Sequence, residues 1–382
     1  MFDQKRPTIV IFSHAYLPFL GGAETAVKGI TDELGDFNFV MLTGKYRLGL
    51  SREEKIGKVL VYRLGLGFSF DKFFLPVLAF FKFLSLRRKL AGPVLFWAMM
   101  VSYSSIAAFF LKYFYPKIPF LLTIQEGDSE EHIKSARLGL IGLFWRLLVR
   151  KADKIQVISN YLADLARSFG AKVLIEVVPN GADLQKFLNP DLKKTLILSQ
   201  KLGIKPSEKI VITISRLTHK NAVDVIIRAM GLIKTEARLL ILGTGEEKTR
   251  LRDLIRELNL ADKIIFEENI YEDLPAYLKL GQIFTRPSRS EGLGIAFLEA
   301  MAAGLPIVAT SVGGIKDFLA DGETGLAVKV DNPEDLAKKI DLLFTDETLR
   351  QKLIQNGRKL IEEKYQWFQI AAKMRVIFYS LL

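Results

Sequence analysis

The chain contains no cysteine, so disulfides, thiolate nucleophiles and cysteine-bound zinc are excluded, and a reducing, cytoplasmic setting suits it. Histidine is nearly as scarce. His14, His132 and His219 are the only three, too scattered to suggest a metal site. No Asp-x-Asp pair occurs, which argues against a divalent cation held by such a pair, and no metal is expected. The first residues, MFDQKRPTIVIFS, lack a long apolar core behind their basic residues and do not read as a secretory signal. Long apolar runs are few: Phe73 to Leu86 and Pro93 to Tyr115. The second covers 23 residues with Lys112 as its only charge, long enough to span a bilayer. Ser102, Ser104 and Ser105 split it where a βα unit would turn, so a buried strand followed by a helix is predicted. No internal repeat or low-complexity tract stands out.

What is present is enough for two cores. The chain has 382 residues, of which 49% are hydrophobic, and two domains are the natural division. The net charge is +12 and lies unevenly: residues 1–190 carry 25 Lys and Arg against 16 Asp and Glu, and the remainder 29 against 26. A basic, aromatic first half suits an anionic surface or substrate; a merely soluble basic protein is the plain alternative. Phe73, Phe74, Phe80, Phe81 and Phe83 beside Lys82, Arg87, Arg88 and Lys89 fit a helix lying in a membrane interface, or an internal packing helix with a basic end. No nucleic-acid module is recognisable, so no nucleic acid is expected as a partner.

The pattern throughout is strand, loop, helix. Thr8 to Ser13 reads as a first parallel strand, and a loop then ends in Gly21-Gly22 before a helix with Ala26, Val27, Ile30 and Leu34 on one face. That arrangement makes an anion site at a helix N-terminus, or simply a tight turn. Strands Phe37 to Leu42, Lys58 to Arg63 and Pro93 to Trp97 follow, with helices over Asp71 to Leu90 and Tyr103 to Phe114. Strand Phe120 to Ile124 leads into Gln125-Glu126-Gly127-Asp128. A helix over Leu138 to Lys151, a strand over Lys154 to Ile158, a helix over Tyr161 to Phe169 and a strand over Val173 to Val178 complete the first half. Asn189 to Lys193 reads as a polar linker.

The second half restarts at strand Lys209 to Ile214. Arg216 and Lys220 follow it, two cations four apart ahead of a helix, well placed for a diphosphate; a solvated basic loop is the alternative for the pair alone. Asn221 fits a helix cap. Strand Arg238 to Leu242 leads to Gly243-Thr244-Gly245, and Asn269 and Ile270 precede a short helix. The densest stretch is Phe284 to Gly314: strand, Pro287, a flexible loop, a helix over Ile295 to Ala303, Gly304 and Pro306, then strand Ile307 to Ala309. Glu291 lies in the loop, and Glu299 lies inside an otherwise apolar helix, where a carboxylate is expensive to bury without donors. A ribose diol supplies two. Gly292 and Gly294 let backbone N–H groups approach an anion there. Alone, the two carboxylates read as a helix cap and a solvated side chain; the apolar helix around Glu299 changes that reading. Helices over Pro333 to Phe344 and Thr348 to Lys364 precede an apolar closing helix.

The run from Pro287 to Gly314 matches PS..EG.G...LEAMA.G.P.VA...GG, and Pro18, Gly21, Gly22 and Glu24 match P-x-x-GG-x-E. In these the chain resembles the family-4 retaining glycosyltransferases of group 1 type. The resemblance implies an α/β GT-B fold, two doubly wound Rossmann-like domains facing across a cleft. It implies an acceptor domain over 1–190, a donor domain over 191–365, and a closing helix over 366–382 that packs back on the first. It implies a hexosyltransferase taking a nucleotide diphosphate sugar as substrate, with no cofactor, and a glycan or lipid-linked acceptor. Arg216, Lys220 and Glu291 then take the catalytic roles. Gly21, Gly22, Gly243, Ile270, Gly292, Leu293, Gly294 and Glu299 surround the donor, with Glu299 on its ribose. Gln125 stands where many relatives carry a His that contacts the transferred sugar; Gln cannot act as a base, so none is assigned. Gln125, Glu126 and Asp128 are acceptor-side candidates, with ordinary loop polarity as the alternative. An epimerase or phosphorylase of the same fold, and an idle nucleotide-sugar binder at a membrane surface, are the competing readings.

Overall fold

A computed structural model describes residues 3, 5–19, 21–90, 92–135, 139–268 and 273–382. The chain divides into two compact units, one of 1–180 with 367–382, the other of 181–366.

The first unit begins in the order β1 (Thr8–Phe12), α1 (Gly22–Glu33), β2 (Asn38–Gly44), β3 (Glu53–Ile56), β4 (Val59–Leu64), α2 (Asp71–Leu86), β5 (Val94–Met99), α3 (Tyr103–Phe114), β6 (Phe120–Ile124), α4 (Glu130–Ser135), α5 (Leu140–Lys151), β7 (Lys154–Val157), α6 (Asn160–Ser168) and β8 (Ile175–Val177). The sheet order is β3-β4-β2-β1-β5-β6-β7-β8, parallel except for the β3 edge, which runs antiparallel to β4. The central strands are continuous apolar runs buried on both faces, as helices on both sides of a parallel sheet require. Chain order runs outward from β1 to one edge and then restarts beside it at β5, so the sheet reverses between β1 and β5.

The second unit repeats the plan with α7 (Leu184–Leu188), α8 (Leu192–Lys201), β9 (Ile210–Ile214), α9 (Val223–Met230), β10 (Arg238–Leu242), α10 (Lys248–Glu257), β11 (Ile264–Glu267), α11 (Leu274–Leu278), β12 (Ile283–Arg286), α12 (Ile295–Ala302), β13 (Ile307–Thr310), β14 (Leu326–Val328), α13 (Pro333–Thr345) and α14 (Glu347–Lys364). Its six strands are ordered β11-β10-β9-β12-β13-β14, and this sheet reverses between β9 and β12. The last helix, α15 (Trp367–Leu381), belongs to the first unit. It packs on α1, where a Cβ on Gly29 would sit 2.3 Å from the Trp367 ring, and Phe378 lies edge-on to Trp97 at 5.1 Å.

The structure corrects several expectations. Asn189 to Lys193 is not a linker: the Asp191 side chain accepts from the N–H groups of Lys193 and Lys194 and so caps α8. The division falls at Asn180–Gly181 rather than near 190, because α7 packs on α12 and α14 of the second unit. Helix α2 ends at Leu86 and tightens into a 3-10 turn over Arg87–Lys89. Pro93 to Tyr115 is a strand and a helix, as expected, and no helix among the described residues is long and apolar enough to cross a membrane. The short elements β3, α4, α7 and β14 had no clear periodicity to reveal them.

Candidate donor site at the reversal of the second sheet

Ligands of open parallel sheets collect at the carboxyl ends of strands where strand order reverses. In the second unit that point is flanked by the loops after β9 and β12. The first holds Arg216 and Lys220, the second holds Glu291 to Gly294. Both loops are shaped by contacts that leave little freedom. A Cβ on Gly243, whose φ is +143°, would lie 2.0 Å from the Ser215 carbonyl oxygen. One on Gly245 would lie 2.3 Å from that of Leu217. The glycine turn after β10 thus presses against the backbone of the cationic loop, and Leu217 N–H donates to the Thr244 carbonyl at 3.0 Å. Gly243 has a packing reason to be glycine independent of any ligand.

Inside the cationic loop, Asn221 does not cap the helix. Its Nδ2 donates to the Arg216 carbonyl at 2.6 Å, folding a turn over His219–Asn221, and Ala222 occupies the cap in a left-handed conformation. Leu217 is fully buried, whereas Arg216 is exposed and no ion pair holds its guanidinium among the described residues. Lys220 is half-buried.

A residue that the sequence reading passed over ties the two loops together. Arg289 N–H donates to the Lys220 carbonyl at 2.7 Å, and its guanidinium donates to the His219 carbonyl at 2.6 Å. The same guanidinium grips Asp224 with two bonds of 3.0 and 2.9 Å and reaches Asp331 at 2.7 Å. This bidentate partner outweighs the burial of the Asp224 carboxyl and holds it below the usual carboxylate range.

Arg286 is the second such residue. It ends β12 almost fully buried, pairs with Glu291, donates to the Ile214 carbonyl at 3.2 Å and stacks over Phe297 with 4.7 Å from guanidinium to ring centre. An arginine inside an apolar strand was the available signal. Glu291 is therefore engaged already: one oxygen meets Arg286, the other accepts from Gly292 N–H at 3.0 Å. Its carbonyl accepts from Gly314 at 3.0 Å, and a Cβ on Gly313 would lie 2.0 Å from that carbonyl oxygen. The final glycine pair of the motif is thus a backbone rest for the Glu291 loop.

Gly294 caps α12 with φ +87°, and a Cβ there would meet Arg286 at 2.6 Å and the Phe297 ring at 2.7 Å. Leu293 is fully buried beneath this turn. Glu299 is half-buried on α12 and has no hydrogen-bond donor among the described residues. Burial pushes its carboxyl up to about 7, against the opposing pull of Lys186 and Arg286. Lys186, on α7, is a third contributor missed from sequence. Thr218 Oγ1, Arg286 Nε and Ser288 Oγ are buried without partners among the described residues, a concentration of unmet polar atoms typical of functional sites. Ile270 lies outside the described residues.

The first sheet reverses at the loops after β1 and β5. Gly21 caps α1, and a Cβ on Gly22 would meet nothing within 4 Å, so neither packing nor a positive φ demands glycine at 22. Glu126 is nearly fully buried and accepts from the N–H groups of Val101 and, at 2.9 Å, Gln125. Burial pushes it up to about 7, aided by Asp128. Its oxygens bind the β5–α3 loop to its own, so the fold already uses it as a strut. Gln125 accepts from Asn180 Nδ2 at 3.2 Å and, like Asp128, is half-buried.

Comparison with known proteins bears on the family and the fold. Residues 3–186 match the model described as Glycosyltransferase Family 4, and residues 195–360 that described as Glycosyl transferases group 1. An uncharacterized glycosyltransferase of Methanocaldococcus jannaschii is 32% identical over 201 residues, covering 52% of each chain. A GDP-mannose-dependent alpha-(1-6)-phosphatidylinositol monomannoside mannosyltransferase of Mycobacterium tuberculosis is 30% identical over 58% of this chain and 60% of its own. The match thus spans little more than half the length of these relatives. Sucrose-phosphate synthase from Thermosynechococcus elongatus superposes with a TM-score of 0.86 at 22% identity, covering 98% of this chain and 99% of that one. With both halves matched by the two models and the fold shared, this chain belongs to the group 1 glycosyltransferases of GT-B fold.

Proposed function

We propose that the chain is a retaining glycosyltransferase that moves a sugar from a nucleotide diphosphate sugar to a glycan, lipid-linked or small-molecule acceptor without a metal ion. The single observation that carries this reading is Glu299, a half-buried carboxylate with no donor among the described residues, on the helix after the strand where the sheet reverses. A ribose diol would give it two donors and favour its ionised form. Arg216 and Lys220 would stabilise charge growing on the leaving diphosphate, with N–H groups at the start of α12 adding to them. Glu291, fixed by Arg286, would orient the sugar through its remaining lone pairs. The acceptor would fall to the first unit, near Gly22 and the loop after β6.

The test is calorimetry of nucleoside diphosphate binding between pH 6 and 8. Affinity should rise with pH through about 7, with proton release, because the bound diol favours the carboxylate. Glu299→Gln should remove the proton release and weaken binding by about tenfold. Unchanged affinity and proton release in that variant would sink the assignment.

A membrane-surface location is part of the same proposal. Helix α2 buries Leu75, Ala79 and Phe83 but exposes Phe73, Phe74, Val77 and Phe81. Neighbouring α3 exposes Phe110, Tyr113 and Phe114, with Lys72, Lys82, Arg87, Arg88 and Lys89 along α2 and its end. Exposed apolar surface rimmed by cations suits an anionic bilayer, and the mannosyltransferase relative is named for a phosphatidylinositol-based acceptor. Vesicle flotation that depends on phosphatidylglycerol and weakens with salt is expected.

A further inference from the structure

A cavity of about 780 Å³ opens on the first unit between β4 and α2, and none of the candidate donor or acceptor residues lines it. That volume is in the range of sites for small organic ligands. Its walls are largely apolar: Leu66, Phe70, Phe74 and Leu78 line it, all more than a third exposed. Its polar groups are mostly occupied. Asp71 accepts the N–H groups of Leu66, Gly67 and Phe68 at 2.8, 2.7 and 3.0 Å and so folds the loop that forms one wall. Glu53, at the rim, hydrogen-bonds Tyr62. Lys82 lies over the Tyr62 ring at 4.0 Å, and Arg52 is exposed beside it.

Arg63 is the exception. It lines the cavity while only 2% exposed. Its terminal nitrogens pair with Glu54 and donate to the carbonyls of Ser51 and Leu17. Its Nε–H has no acceptor among the described residues. A buried guanidinium donor left unmet costs free energy, and an acceptor oxygen brought by a ligand would remove that cost. The Leu17 carbonyl belongs to the loop that runs to Gly21-Gly22, so the cavity wall and that loop share one side chain.

We propose that this cavity binds one anionic phospholipid, its chain along Leu66, Phe70, Phe74 and Leu78 and its phosphate near Arg52, Lys82 and the Arg63 Nε–H. The choice of occupant follows from three features. The walls offer apolar side chains and few free polar groups, which suits a hydrocarbon chain. Two cations of the lining, Arg52 and Lys82, have no ion pair among the described residues and would take the headgroup. Phe74 and Leu78 also continue the exposed strip of α2 that carries Phe73, Val77 and Phe81, so a lipid could pass from a bilayer into the cavity without crossing polar surface. The proposal deepens the membrane reading above and rests on it.

The test uses palmitoyl-lysophosphatidylglycerol below its micelle concentration, titrated into the full chain by calorimetry, with the phosphatidylcholine analogue as control. Saturable one-to-one binding is expected, at least about tenfold tighter for the anionic lipid. Leu66→Ser with Leu78→Ser, both exposed positions that the fold should tolerate, should weaken it about tenfold or more. Arg52→Glu should do likewise. Phe73→Ser with Phe81→Ser, outside the cavity, should leave it unchanged while reducing flotation on vesicles containing phosphatidylglycerol. Absence of saturable binding, equal affinity for both headgroups, or equal loss in both serine pairs would overturn the proposal. Flotation separates the two claims: vesicle binding without lipid-monomer binding removes the cavity alone. Monomer binding without flotation keeps the cavity and removes the membrane surface.

Discussion

Glu126, in the loop after β6, and Glu299, on the helix after β12, each lie next to the reversal of their sheet, and burial pushes both up to about 7. Their surroundings differ. Glu126 is bound by the N–H groups of Val101 and Gln125, whereas Glu299 has no donor among the described residues. One carboxylate has been given its partners by the fold; the other is left with its hydrogen-bonding capacity open. A raised pKa therefore does not mark a binding group by itself. The presence or absence of donors does, because an unpaired buried carboxylate persists only where something else compensates.

The largest effect should come from the cations beside the second reversal. Arg216→Ala is expected to cut turnover by about 10²–10³-fold without lowering thermal stability, since Arg216 is exposed and makes no ion pair among the described residues. Steady-state kinetics on the folded variant would break the site assignment if turnover held.

The second prediction compares the two glutamates directly. In each, the folded pKa lies above the ordinary value of 4.5, so the native state binds more protons than the unfolded state between pH 4.5 and 7. Stability then falls as pH rises through that window. Above it, the full cost of ionising Glu299 is on the order of 3 kcal/mol. Glu299→Gln should accordingly stabilise the protein at pH 8 and have little effect at pH 4. Glu126→Gln should gain less at pH 8, by about 1–3 kcal/mol, because the amide can accept only one of the two N–H groups. Thermal unfolding at both pH values decides this, and equal gains would erase the distinction.

The smallest expected change in stability is at Gly22. Gly22→Ala should stay within about 0.5 kcal/mol of the parent, since its Cβ would meet no atom within 4 Å, yet it should lower turnover severalfold if a ligand approaches there. An unaltered rate would return Gly22 to a simple loop residue.

Much of this was legible in the sequence because parallel strands buried on both faces are written as apolar runs, and helices as one-sided stripes. Tyr103–Phe114, Phe120–Ile124 and Arg238–Leu242 were placed to the residue. Side-chain commitments were not legible. Nothing in the spacing says that Glu291 is held by Arg286, or that Asn221 turns back on Arg216 instead of capping α9. Arg289 looks like one more loop cation until folding brings Asp224 and Asp331 to it. Gly243 was read as a ligand position, and there, as at Gly313, backbone contact accounts for the glycine. Asp191 hid a helix start behind a proline, so α8 looked like a linker.

The Arg289 junction has a kinetic consequence. With the two loops of the second reversal already fastened to each other and to Asp331, an arriving diphosphate would meet a cradle whose shape is set beforehand. Little conformational entropy then remains to be lost on association. Affinity would be governed by desolvation of phosphate and cations, and departure of the spent nucleotide would not wait on a loop refolding.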